Sequence, residues 1–140
     1  MLKRHKTAIM YTMIVLLVLV GPLIYFTSWG QGQVADYVAK NISEPWAPAW
    51  QERVGNTHFM LGRYPEAEKA YQDWMLYWPW DPRKPDSKYP EIYLKWAMSL
   101  EENHKKDEAG AAFQNFCEWW PDHPKINDAK AGVMRARNWR

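Results

Sequence analysis

Two stretches of the sequence decide the fold: LGRYPEAEKAY at residues 61–71, which leads to Trp78-Pro79, and HKKDEAGAAF at residues 104–113, which leads to Trp120-Pro121. Each stretch places an alanine twelve residues after a small residue, four before an aromatic residue and twelve before a proline. The two matching sets are Gly55, Ala67, Tyr71 and Pro79, and Ala97, Ala109, Phe113 and Pro121. This duplication predicts an internal repeat with a period of 42 residues.

Helical periodicity continues through the chain beyond residue 49, and no convincing alternating strand pattern interrupts it. It predicts helices over residues 49–61, 64–78, 89–103, 106–120 and 125–138. In each repeat the small residue lets two helices approach closely, the aromatic ring fills the space between hairpins, and the proline ends the second helix. We therefore expect an all-α domain over residues 49–140, built from two helical hairpins and a closing helix.

The repeat resembles the tetratricopeptide repeat family, whose signature has small, small, aromatic and proline residues at the matching positions. Trp74 and Phe116 depart from it, because they stand where the signature has another small residue, and the period exceeds the usual length of about 34 residues. Both departures resemble the envelope branch typified by the outer-membrane assembly lipoprotein and the Tol-Pal-associated periplasmic coordinator. The resemblance covers roughly residues 50–138. It implies a TPR-like fold and a binding role, with no catalytic residues to carry over.

An uncharged stretch runs from Thr7 to Ala35, and its first part is almost wholly apolar. As a helix, residues 7–28 would be about 33 Å long, close to the bilayer's hydrocarbon thickness of about 30 Å. We therefore predict a transmembrane helix here, kinked at Gly21-Pro22. Its membrane-anchor candidates are Ile14, Leu16, Leu17 and Leu19, with Trp29 as an interfacial aromatic residue.

The charges on either side of this helix predict its orientation. Lys3, Arg4 and Lys6 precede it, whereas Lys40 is the one basic residue close behind it, so residues 1–6 are expected in the cytoplasm. The rest of the chain would lie on the outer face of the inner membrane, in the periplasm of a Gram-negative cell. A cleaved secretory signal is the alternative, but the apolar run is long for one, and a tryptophan occupies the expected small-residue cleavage site.

Residues 29–48 form a juxtamembrane segment between the apolar helix and the hairpins. Val34 and Val38 have helical spacing, which predicts a short interfacial helix after a break at Gly30 and Gly32. A run with two prolines then ends this segment before the hairpin domain begins.

The composition argues against several classes of function. Residues 29–140 carry 15 basic and 16 acidic side chains, and this near-neutral balance does not suit nucleic acid. The single cysteine, Cys117, allows no internal disulfide framework or cysteine-based metal motif. Glu101 and His104 have the spacing of di-iron bundle ligands, but no second Glu-x-x-His follows. We expect no catalytic residue, metal, cofactor or small-molecule substrate.

The chain contains ten tryptophans, more than a domain of this size is expected to bury. Tryptophan is enriched at the energetic centres of protein interfaces, so the surplus indicates a partner-facing surface. Core packing, lipid headgroups and, more remotely, carbohydrate stacking remain alternatives. The interface candidates are Trp46, Trp50, Trp78, Trp80, Trp120 and Trp139, together with the basic Arg137 near the carboxyl terminus.

Taken together, these patterns predict a non-catalytic, membrane-anchored protein-interaction module. The leading expectation is an accessory or scaffolding subunit of a larger inner-membrane complex of respiratory, photosynthetic, secretion or envelope machinery. Its partners would be other membrane subunits and the lipid bilayer, because two hairpins are few for a free-standing array. The alternative is a transient periplasmic adaptor or chaperone that holds client peptides in a TPR groove.

Overall fold

The computed structural model describes residues 2–84 and 87–138, with side chains from Ile9 onward. Within these ranges the chain forms seven α-helices and no strand, so the expected all-α class is confirmed. The helices are α1 (Leu2–Tyr25), α2 (Ser28–Ala39), α3 (Ala47–Met60), α4 (Tyr64–Tyr77), α5 (Tyr89–Glu102), α6 (Lys106–Trp119) and α7 (Ile126–Arg137).

The five carboxyl-terminal helices form a helical-hairpin domain. Each of them begins and ends within two residues of the bounds expected from periodicity. α3 packs against α4 and α5 against α6, and the neighbouring pairs α4–α5 and α6–α7 join these hairpins into one row. Contacts therefore run mainly between helices that follow one another in the chain, as they do in repeat proteins.

The two hairpin turns share one backbone geometry. Gly62 and His104, which lie 42 residues apart, both have a left-handed backbone, with φ of 71° and 61°. In each turn the next N–H donates to the carbonyl five residues back, at 2.9 Å. This cap ends α3 and α5 in the same way. His104 thus serves as a turn residue, while Arg135 donates to the carboxylate of Glu101 at 2.7 Å.

The repeated aromatic residues pack against glycines. Tyr71 is buried against Gly55 of α3, where an added Cβ would lie 2.5 Å from the ring. Phe113 is buried against Gly132 of α7, where an added Cβ would also lie 2.5 Å from the ring. The other repeat residues are three buried alanines and two exposed prolines that follow α4 and α6: Ala67, Ala97 and Ala109, and Pro79 and Pro121.

Buried carboxylates tie the first hairpin to the second. Glu52 of α3 accepts hydrogen bonds from Lys88 and Lys95, both at 2.8 Å. Glu68 of α4 accepts one from Lys105 at 2.7 Å and another from a side-chain amide of the second hairpin turn at 3.0 Å. Charged partners strengthen these bonds and fix how the two hairpins sit against each other.

We expect Glu52→Gln to destabilise the domain in a pH-dependent way. Burial raises the pKa of Glu52, but the bonds from Lys88 and Lys95 outweigh it and hold the pKa below the ordinary 4.5. The stabilisation is therefore complete above pH 4.5 and is lost as the pH falls through the lowered pKa. At neutral pH we expect a loss of about 1–3 kcal/mol in the free energy of unfolding.

Urea unfolding followed by circular dichroism at several pH values measures this loss. Glu118→Gln, a change at an exposed carboxylate of α6, is the matched control and should alter stability little. The difference between wild type and Glu52→Gln should shrink below pH 4.5. A difference that stays constant down to strongly acidic pH would contradict an ionised role for Glu52.

Between α1 and α2 the chain bends by 80° at Phe26 and Thr27, and we call residues 24–31 the elbow. Thr27 caps α2, because its Oγ1 accepts a hydrogen bond from the N–H of Gly30 at 3.0 Å. The expected break at Gly30 and Gly32 is therefore wrong: both glycines lie inside α2. The side-chain cap stabilises a helix start ahead of them.

The last carbonyl groups around the end of α1 all receive donors. The carbonyl of Ile24 accepts from the hydroxyl of the capping threonine at 2.6 Å. That of Tyr25 accepts from Nε2 of Gln31 at 2.7 Å, and that of Phe26 from the guanidinium of Arg63 in the α3–α4 turn. α1 consequently ends three residues before the expected boundary at residue 28. The positive charge of Arg63 also suits the carboxyl end of a helix.

The apolar character of the amino-terminal part lies in two helices. Taken singly, no helix in the described ranges is both long and apolar enough to cross a bilayer. The bent pair Ile9–Tyr25 and Ser28–Ala39 together has the length and composition of a broken span or a re-entrant loop. The side chains proposed for membrane contact are all exposed: Ile14, Leu16, Leu17, Leu19 and Trp29.

Candidate functional site

Aromatic rings from α4, α5, α6 and the α4–α5 connection meet at one end of the hairpins. Trp78 and Trp120 directly follow α4 and α6, and the repeat places them 42 residues apart. Tyr89, the first residue of α5, lies near both ends of these helices. We call this group the aromatic cluster; its members are Trp74, Trp78, Trp80, Tyr89, Tyr93, Trp119 and Trp120.

The rings of the aromatic cluster are in edge-on and tilted contact. Trp80 meets Trp120 at a centroid separation of 5.4 Å, with the rings nearly perpendicular. Tyr89 lies 5.9 Å from Trp80 and 6.1 Å from Trp120. Tyr93 continues the series, 5.4 Å from Trp120 and 5.5 Å from Trp119. Such contacts favour a defined arrangement of large apolar side chains, which is what an interaction surface needs.

Two members of the aromatic cluster present most of its outer surface. Trp119 is 56% exposed and Trp80 is 37% exposed. Trp120 was predicted to face a partner, but it is half-buried between Tyr93 and Phe116. Adjacent helical residues point in different directions, and here Trp120 points inward. The Trp-Trp pair in the sequence carried this signal, yet the wrong member was assigned to the surface.

A cavity of about 640 Å³ opens beside the aromatic cluster, between the end of α4 and the α4–α5 connection. Its apolar wall includes Trp74, Trp78 and Trp80, while Arg83 and Lys84 give it a basic rim. The rim is ordered in part by Asp81, whose carboxylate accepts from Arg83 at 2.9 Å. This cavity can accept an apolar or aromatic side chain with a neighbouring negative charge.

A second aromatic region lies between α2 and α3, with Trp46 and Trp50. Trp46 stacks on Tyr37 with a centroid separation of 5.6 Å and an interplanar angle of 10°. The guanidinium of Arg53 lies 4.8 Å above the ring of Trp50. These residues line a cavity of about 580 Å³ whose walls are mostly apolar. We call this cavity the α2–α3 groove.

The predicted interface residues are therefore not gathered in one place. Trp78 and Trp80 lie in the aromatic cluster, whereas Trp46 and Trp50 belong to the α2–α3 groove. Trp78 also has a structural role, because its Nε1 donates to the carbonyl of Ile42 at 3.2 Å. Trp74 likewise donates to the carbonyl of Pro48 at 2.9 Å. Arg137 is exposed in the last turn of α7, and Trp139 lies outside the described residues.

The titratable side chains that are candidates for chemistry are held in neutral states. Burial lowers the pKa of His58, and the nearby charge of Arg63 lowers it further. Burial raises the pKa of the half-buried Cys117 thiol, which disfavours the nucleophilic thiolate. Among the described residues, no group of three histidine, cysteine or acidic side chains is arranged to hold a metal ion.

The repeat geometry and the aromatic cluster rest on the residues of this chain alone. Their shared spacing explains why the same end of both hairpins carries tryptophan and proline. No family model and no curated protein matches the chain, and its resemblance to tetratricopeptide repeats therefore stays a prediction.

Proposed function

We propose that the chain is a non-catalytic protein-interaction module anchored in the inner membrane, and that it serves as an accessory or scaffolding subunit of a larger complex. In this proposal the amino terminus is cytoplasmic, α1 is the anchor, and the TPR-like domain lies in the periplasm. The observation that carries the proposal is the aromatic cluster, a preformed and partly exposed set of tryptophans at one end of the hairpins.

The exposed apolar surface of α1 supports the membrane part of the proposal. Its side chains from Ile9 to Val20 are exposed and almost entirely apolar. A contiguous apolar surface of this length is rare in water unless lipid or protein covers it. The 80° elbow would then turn α2 toward the plane of the bilayer surface. Trp29, which is exposed on α2, has the side chain favoured at the interface between membrane and water.

The aromatic cluster supports the partner part of the proposal. Trp80 and Trp119 present large apolar area at low conformational cost, because their rings are already packed against Tyr89 and Tyr93. The neighbouring 640 Å³ cavity adds a recess that can take an anchor residue of a partner. Recesses flanked by tryptophan and arginine are typical centres of binding energy.

A transient adaptor or chaperone is the second candidate, and the basic rim of that cavity favours it. Arg83 and Lys84 stand beside apolar walls, which suits short peptide segments that combine an aromatic residue with an acidic one. An adaptor of this kind would bind many clients weakly and would have no fixed stoichiometry. The two candidates therefore differ in the stability and composition of the complexes that they form.

We expect Trp80→Ala combined with Trp119→Ala to release the chain from its complex while leaving the domain folded. Native membranes are extracted with mild detergent, and the complex is separated on a native gel and identified by mass spectrometry. Loss of two interface tryptophans typically weakens binding by about 2–4 kcal/mol or more. Met134→Ala, at an exposed apolar residue of α7, is the control.

The outcomes separate the candidates. Wild-type co-migration at fixed stoichiometry, lost in the double variant and kept in the control, supports the subunit. Migration with many substoichiometric proteins favours the adaptor. Unchanged co-migration of the double variant contradicts a binding role for the aromatic cluster.

A further inference from the structure

A cavity of about 320 Å³ lies over α3, between α2 and α4, and is separate from the aromatic cluster. Its floor is one face of α3, where Gln51, Val54 and His58 follow one another at helical spacing. The α2 wall contributes Gln31 and small residues, and the α4 wall contributes acidic residues and Lys69. No role has so far been given to this cavity, which we call the polar cavity.

Three side chains that line the polar cavity each leave one buried polar atom without a partner in the described part of the chain. These atoms are Oε1 of Gln31, Oε1 of Gln51 and Nδ1 of His58. The three residues are only 0%, 1% and 5% exposed. Buried polar groups are normally hydrogen-bonded, so three unpaired atoms around one cavity need an explanation.

The amide hydrogen bonds identify the unpaired glutamine atoms as acceptors. Nε2 of Gln31 donates to the carbonyl of Tyr25 at 2.7 Å, and Nε2 of Gln51 donates to the carbonyl of Ala70 at 3.0 Å. A carbonyl oxygen accepts only from a donor, so each amide has its oxygen left over. A neutral imidazole with its proton on Nε2 likewise offers Nδ1 as an acceptor.

The charges around the polar cavity favour a cation. Asp36, Glu66 and Asp73 all line it, and Lys69 is held by Asp73 at 2.9 Å. No ion pair engages the carboxylates of Asp36 and Glu66 within the described residues. A ligand that satisfies three acceptors beside this negative charge must bring several N–H donors and a positive charge.

We propose that the polar cavity binds a primary ammonium group on a short carbon chain. The three N–H bonds of such a group equal in number the three unpaired acceptors, and Val54 and Ala70 offer apolar contact to its carbon atoms. The group could be that of a free amine or that of an ethanolamine lipid headgroup. The second source is reasonable because Ser28 and Gln31 place the cavity beside the elbow, where α1 ends. The binding of a free amine does not depend on the proposed function.

Ethanolamine and choline are a matched pair of probes, because choline has the same charge but no N–H donor. Equilibrium dialysis with the full chain in a detergent without amino groups measures the affinity for each probe at constant ionic strength. We expect saturable binding of ethanolamine and at least about tenfold weaker binding of choline. Equal binding of the two probes, or no saturable binding of ethanolamine, would overturn the proposal.

Two variants test the site itself. Gln51→Met keeps the side-chain volume and removes the acceptor, and we expect about a tenfold loss of affinity for ethanolamine. Because Gln51 also bonds to α4, the exposed pair Asp36→Asn and Glu66→Gln provides a second test that leaves the packing intact. The control pair is Asp107→Asn and Asp122→Asn, which are exposed elsewhere. The proposal fails if the control pair weakens binding as much as the cavity pair.

Nanodiscs distinguish the two sources of the ammonium group. If the lipid headgroup occupies the cavity, discs that contain phosphatidylethanolamine will suppress the binding of free ethanolamine, whereas phosphatidylcholine discs will not. If both discs leave that binding unchanged, the ligand is a free amine. Failure of the aromatic variants to release a partner would not affect either result, so this proposal and the proposed function are tested separately.

Discussion

Phe113→Ala is expected to lower the free energy of unfolding by about 3–5 kcal/mol, a large share of the stability of a domain of this size. The ring of Phe113 is fully buried between α6 and α7, where it meets Gly132 at van der Waals distance. It also lies 5.9 Å from the guanidinium of Arg135, which forms the ion pair to α5. Removal of the ring leaves a cavity that the surrounding helices can fill only in part.

Urea unfolding followed by circular dichroism measures this effect. Trp119→Ala is the matched control, because it truncates a larger aromatic residue on the same helix at a position that is mostly exposed. We expect the control to lose about 1 kcal/mol or less. Equal losses in the two variants would show that Phe113 does not carry the packing between α6 and α7.

Gly30→Ala is expected to disrupt the elbow, at a cost of about 1–3 kcal/mol in local stability. A Cβ at residue 30 would collide with the carbonyl oxygen of Ile24, which belongs to the backbone and has no side-chain freedom to move away. Either α2 must shift away from α1, or the cap formed by Thr27 must break. The bend between the two helices would then become variable.

Spin labels at Leu17 and Gln72, in a background with Cys117→Ser, report this change as a distance distribution by double electron–electron resonance. Both positions are exposed, one on α1 and the other on α4. Gly32→Ala is the matched control, since a Cβ there meets nothing within 4 Å. We expect a narrow distribution for wild type and the control and a broad one for Gly30→Ala. A narrow distribution for Gly30→Ala would contradict the close approach.

The hairpins were predictable because local spacing determines them. Alanines twelve residues before a proline, and aromatic residues four after those alanines, repeat with one period, and helix boundaries follow from the turns between them. Gly132 was missed as the packing partner of Phe113, because α7 has no second half and so offers no repeat to compare. The aromatic and glycine positions meet only after α7 has folded back on α6.

The elbow could not be predicted from glycine positions. Glycine can break a helix, but it also allows two backbones to approach, and the sequence does not distinguish these uses. Gly30 serves the second use, because Thr27 has already supplied the cap that starts α2. The donor from Arg63 comes from 37 residues further along the chain, beyond any local pattern.

The candidate surfaces were predictable in part. The two Trp-Pro pairs lie one period apart, so their meeting at one end of the hairpins follows from the repeat. Which member of Trp119-Trp120 is exposed depends on where α5 lies, and local periodicity does not contain that information. The polar cavity combines side chains from three helices, and a glutamine in a helical pattern is indistinguishable from an ordinary surface residue until its neighbours are known.

The link from Arg63 to the carbonyl of Phe26 has a mechanical consequence. A tilt or a pull on α1 reaches the rest of the chain by two routes, along the backbone into α2 and sideways into the α3–α4 turn. Two attachment points that are far apart in sequence resist rotation better than one flexible joint. The hairpins would therefore swing with α1 as a lever arm, and small angular changes at its base would become larger displacements of the aromatic cluster.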